Sequence, residues 1–89
     1  MTSKYDSKES ALEMGLYYAG YEDPKLRKKV MADLPEPVKR QIGWPQNKTV
    51  ETYKIRTPTG KNVQIGVGEF RDGFDLWLIV PKTGICQRV

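Results

Sequence analysis

Hydrophobic residues change their spacing near the middle of this chain, and the change predicts two kinds of structure. In the first half they recur every three or four positions. Leu12, Gly15, Leu16 and Ala19 fall on one helical face, which predicts a helix over about 8–20. Asp6 or Ser7 can cap its start, Ser10-Ala11-Leu12-Glu13 also matches a capping box, and Gly20 can adopt the left-handed conformation that ends a helix. A second start follows at Asp23 and Pro24, where the proline's missing N–H costs nothing. Leu26, Val30 and Leu34 form its apolar stripe, and Lys25, Arg27, Lys28 and Lys29 take the remaining positions. Pro35 and Pro37 end that helix. A third, short helix could restart at Pro37, running through Val38 and Ile42 and closing at Gly43, followed by a turn or linker at Trp44-Pro45-Gln46-Asn47.

From Thr49 the period becomes two. Thr49–Thr57 is rich in β-branched residues, and Pro58-Thr59-Gly60-Lys61 is a turn signal. Val63, Ile65 and Val67 alternate with polar or small residues, as a half-buried strand does. Asp72-Gly73 marks a hairpin. Phe74–Val80 is apolar on both faces at its centre, which suits a central strand, and Ile85–Val89 makes a short last one. Gly66 and Gly68 interrupt the pattern. Glycine weakens a strand unless something large packs over it, and Trp77 of the neighbouring strand is the expected cover. The fold class expected is α+β, with two or three short N-terminal helices packed on a four-stranded antiparallel β-meander.

The 89 residues fit a single domain, helical over about 8–43 and a meander over about 49–89. A chain this short has a thin core. Cys86 is the only cysteine and there is no histidine, so an internal disulfide and a Cys/His zinc site are both excluded. No cofactor is expected. The longest apolar run, Leu76–Val80, is far below the roughly 18–20 residues that span a bilayer. The N-terminal residues lack the apolar stretch of a signal peptide, and the reading is a cytoplasmic protein.

Catalytic chemistry is poorly supplied. Cys86 has no histidine to act as base. Glu22-Asp23 reads as a helix cap and Asp72 as a turn residue, not as carboxylates facing across a cleft. Thr57–Lys61 resembles the tail of a phosphate-binding loop but lacks the first glycine and lies between two strands. Gly66-Val67-Gly68 has Arg71 where a third glycine would be needed. Asn47-Lys48-Thr49 matches a glycosylation sequon but carries no weight without a secretion signal. The expectation is a protein that is not an enzyme.

Charge gives the positive lead. Residues 1–23 carry two lysines and five acids, residues 24–48 carry seven Lys/Arg and two acids, and residues 49–89 carry six and four, within a net charge of +4. The basic middle points to a surface made by Lys25, Arg27, Lys28, Lys29, Lys39 and Arg40, with Trp44 and the tyrosines Tyr17, Tyr18 and Tyr21 beside it. Aromatic residues and arginines dominate interface hot spots. The expected function is therefore a small regulatory or adaptor protein, an inhibitor or small subunit, that engages an acidic surface of a protein partner. The alternative is nucleic-acid binding by the same residues, with lysines against phosphate and aromatics against bases. A small enzyme is the remote third reading. The short last strand also leaves a sheet edge open, where a second copy of the chain could pair.

Overall fold

The computed structural model describes residues 4–42, 48–80, 82 and 85–89, with the backbone alone for 42, 85, 86 and 88. Helix α1 runs Lys8–Tyr18 and α2 runs Pro24–Ala32; strands follow at β1 Val38–Ile42, β2 Lys48–Arg56, β3 Asn62–Phe70, β4 Gly73–Val80 and β5 Ile85–Arg88. The strands lie in sequence order, each antiparallel to the next, so the sheet is a simple meander. The fold is α+β.

Local chemistry sets the helix ends. Ser7 Oγ accepts the Ser10 N–H at 3.1 Å and starts α1. At the other end Gly20 has φ of 117°, and the N–H groups of Gly20 and Tyr21 donate to the carbonyls of Tyr17 and Leu16, each at 3.0 Å. That is a Schellman cap, which needs a left-handed residue at this position. Asp23 Oδ1 accepts the Lys25 N–H at 3.0 Å and starts α2 over Pro24.

Of the two or three helices expected, two are present among the described residues. Residues 38–42 form β1, paired with β2 from Val38 opposite Thr52 to Ile42 opposite Lys48. A five-residue segment cannot recover the cost of nucleating a helix. Pairing with a neighbouring strand satisfies its backbone at once, and Val38 O also accepts the Thr52 hydroxyl at 2.7 Å. The four strands expected after residue 48 are all present, and β1 extends them to five.

The helices cover one face of the sheet. Ala11, Leu12 and Leu16 of α1 pack with Tyr53, Ile55, Val63, Ile65, Val67 and Leu76 as the main core. Helix α2 has no fully buried residue; Val30 and Met31 only flank that core, and Leu26 is exposed. The opposite face holds a smaller cluster of Val50, Trp77 and Ile79 with Phe70 against it. Trp77 is 2% exposed there, and its ring lies directly over Gly68: a Cβ added at Gly68 would sit 2.8 Å from Trp77 Cζ3. The expected role of the strand glycine is thus what the packing shows. The edge of β4 beyond the short β5 is also closed. Tyr5 and Phe74 exchange backbone hydrogen bonds at 3.1 and 2.8 Å, and Val89 N–H donates to Leu76 O at 2.9 Å.

Among the described residues, no helix is long and apolar enough to cross a membrane.

Candidate functional site

The basic block is continuous in sequence but divided in space. Lys25, Lys28 and Lys29 are exposed on α2. Arg27, between them, is turned inward. Its guanidinium Nη1 donates to the carbonyls of Tyr21 and Glu22 at 2.9 and 2.8 Å. It also lies 5.6 Å from the Tyr17 ring centroid. Its Nε is buried and reaches Glu13 Oε1 only at 3.6 Å, an ion pair beyond hydrogen-bonding distance. Arg27 therefore fastens α2 to the end of α1, and its guanidinium is engaged there instead of standing free with the neighbouring lysines. Lys28 borders a cleft shared with Ser7, Glu9, Ser10, Glu13 and Met31, where α1's carboxylates offset its charge.

Lys39 and Arg40 lie on β1, on opposite faces of the sheet. Lys39 is in register with Glu51, and Arg40 with Val50. Lys39 lines an open depression of about 550 Å³ with Lys48, Thr49, Glu51, Glu69, Phe70 and Arg71. Charges of both signs alternate there. Glu51 is already taken by Lys8 at 2.9 Å, and Lys48 sits 4.5 Å above the Phe70 ring. The Lys8 ammonium has its pKa raised above the ordinary lysine value by Tyr53 first and Glu51 second. Tyr17 and Tyr18 are exposed, edge to face at 5.8 Å. Trp44 lies outside the described residues.

A different set of residues converges. Beside the C-terminal half of α2, a groove of about 260 Å³ is lined by Tyr21, Lys29, Val30, Asp33, Leu34, Pro35 and residues 54–56 of β2. Its floor is apolar: Val30, Leu34, Pro35, Ile55 and the ring of Tyr21. Lys29 stands on the helix rim, with Lys54 and Arg56 on the strand rim. A second depression of about 570 Å³ shares Lys54, Ile55 and Arg56 and adds Asn62, Val63 and Gln64. Arg40 reaches this region from β1, with its Nη1 3.3 Å from Gln64 Oε1. Tyr21 fixes the groove's base by donating its hydroxyl to Arg56 O.

Three cations, Lys29, Lys54 and Arg56, thus line one apolar trough against one lining acid, Asp33. Lys29, Arg40 and Tyr21 are among the residues expected from sequence; Lys54 and Arg56 are not. They fall after the basic block, among the β-branched residues of Thr49–Thr57. Their signal was the i, i+2 spacing, which puts both on one side of a strand.

The arrangement suits recognition of negative charge beside apolar side chains. For a stacked base the lining holds one ring, that of Tyr21. Trp77 and Tyr53 are buried, and Phe70 lies between Trp77, stacked at 6.3 Å, and Lys48. Among the described residues, no three His, Cys, Asp or Glu side chains group closely enough to hold a metal ion. Comparison of the chain with protein-family models, with curated proteins and with solved structures gives no match.

Proposed function

We propose that this protein is a non-catalytic binding protein that captures an acidic segment of a protein partner in the groove between α2 and β2. The observation that carries the reading is the apolar floor of Val30, Leu34, Pro35 and Ile55 set between Lys29 on one rim and Lys54 and Arg56 on the other. Apolar contact supplies affinity by removing surface from water, and the rim charges select the sign of the partner and speed its approach. Nucleic acid would use the cations, but the lining offers its bases one aromatic ring, Tyr21, and is otherwise aliphatic, a poorer match than apolar side chains.

The test is a titration with a short synthetic peptide of Glu and Val residues, against a single-stranded oligonucleotide of equal charge. The peptide is expected to bind more tightly. Reversing both strand-rim cations, Lys54→Glu with Arg56→Glu, should weaken the peptide by tenfold or more, on the order of 1 kcal/mol per exposed charge pair. Lys25→Glu, outside the groove, should change it less than about twofold. Tighter binding of the oligonucleotide, or indifference to the double reversal, refutes the proposal.

A further inference from the structure

The backbone at the strand rim of the groove shows how such a segment would be held. Thr57 N–H donates to Lys61 O at 2.8 Å, which makes Thr57 and Lys61 a hydrogen-bonded pair of the β2–β3 ladder. The register continues through Arg56 opposite Asn62, Ile55 opposite Val63 and Lys54 opposite Gln64. Along an antiparallel strand, successive residues turn their N–H and C=O alternately to one neighbour and to the other. Ile55 and Thr57 therefore face β3. Lys54 and Arg56 face the opposite side, where β1 would lie. But β1 begins only at Val38, opposite Thr52.

The stretch of β2 beyond Thr52 is thus a sheet edge without a strand. Arg56 O accepts the Tyr21 hydroxyl. Among the described residues, no hydrogen bond reaches the N–H or C=O of Lys54 or the N–H of Arg56 from the β1 side. The connection that passes nearby carries Pro35 and Pro37, neither of which has an N–H to give.

We infer that the acidic segment binds as an added β-strand, pairing its backbone with Lys54 and with the Arg56 N–H on the side of β2 where β1 lies. The inference rests on the proposed function and names the form of the partner. Paired residues on adjacent strands share a face. A residue opposite Lys54 or Arg56 would project to the side away from the helices, where those two cations and Arg40 stand. The residue between them, opposite Ile55, would project to the helix side, onto Val30 and Leu34. The recognised pattern is therefore acidic–apolar–acidic in strict alternation. Strand addition draws affinity from main-chain hydrogen bonds and specificity from alternate side chains.

The experiment compares three synthetic peptides on the intact protein: alternating Glu-Val-Glu-Val-Glu, a blocked isomer Glu-Glu-Glu-Val-Val, and the alternating peptide N-methylated at its central residues. Binding is followed by anisotropy, and hydrogen exchange of the Lys54 and Arg56 amides by NMR. The alternating peptide is expected to bind at least about tenfold more tightly than either of the others, as loss of one or two buried hydrogen bonds implies. At saturation it should slow exchange at Lys54 by about tenfold or more. Equal affinity for all three peptides, with Lys54 and Arg56 amides unprotected, overturns strand addition while leaving capture of an acidic segment standing. Protection of the Lys54 amide that depends on protein concentration, without peptide, overturns it in favour of a second copy as occupant. No binding of any peptide overturns both.

Discussion

Adding one methyl group at Gly68 should destabilise the protein, whereas adding one at Gly66, two residues away on the same face, should not. The contrast follows from what each methyl would meet. At Gly68 it would sit 2.8 and 3.1 Å from Cζ3 and Cη2 of Trp77 and 3.1 Å from Val50 Cγ1. The indole cannot swing aside cheaply. It is 2% exposed and stacked on Phe70 with ring centroids 6.3 Å apart. At Gly66 the nearest atoms, in Ile79, Val50 and Trp77, lie at 3.4, 3.4 and 3.6 Å, ordinary contact distances. Neither glycine has a positive φ, so the backbone accepts alanine at both. Overpacking a rigid site costs roughly 1–3 kcal/mol. Alanine returns about 0.5–1 kcal/mol by restricting the unfolded chain. Gly68→Ala should therefore lose about 1–2 kcal/mol, a fall in Tm of roughly 5–15 °C for a domain of this size. Gly66→Ala should be neutral or gain up to about 1 kcal/mol. Urea unfolding followed by far-UV circular dichroism measures both, with an unchanged m-value showing that the comparison is clean. Equal behaviour of the two variants, or a Gly68→Ala protein as stable as its parent, would refute the packing argument.

Two more outcomes follow from other contacts. Arg27→Lys keeps the charge but ends one atom short of Nη1, the nitrogen that donates to both carbonyls; it should cost about 1–2 kcal/mol and speed amide exchange in α2 while leaving the sheet unchanged. Unaltered α2 exchange would show that Arg27 does not hold the helix. The raised pKa of Lys8 means that its folded form holds the proton more tightly than the unfolded chain. Its contribution is fully present below the ordinary value of 10.5 and lost as pH rises through the higher folded value. Lys8→Met should therefore show a smaller loss of stability than the parent when pH is raised above about 10.5; parallel pH profiles would exclude the effect.

The local elements of this protein are written in short-range chemistry, and so they were legible. Asp23 before Pro24 can only start a helix well, Gly20 ends one, and Asp72-Gly73 turns a hairpin. The gap at Gly68 even named its partner, because a strand glycine beside a tryptophan is explained most simply by the ring. Residues 38–42 were not legible. Five residues with Val and Ile four apart fit a helical turn as well as a strand, and only the presence of β2's free edge decides between them.

The candidate site divides in the same way. The sequence alone determined that the chain is basic in its middle and lacks histidine. It did not determine which cations act together. Lys25, Arg27, Lys28 and Lys29 are neighbours in sequence, yet Arg27 turns inward to carbonyls at the end of α1 and Lys28 faces α1's acids. Lys54 and Arg56, more than twenty residues further on, join Lys29 across the groove. Helix period sets the face of a residue within its own element. Which faces meet depends on how α2 lies across the end of β2, and that is fixed by contacts such as Tyr21 to Arg56, which are distant in sequence and become neighbours only on folding.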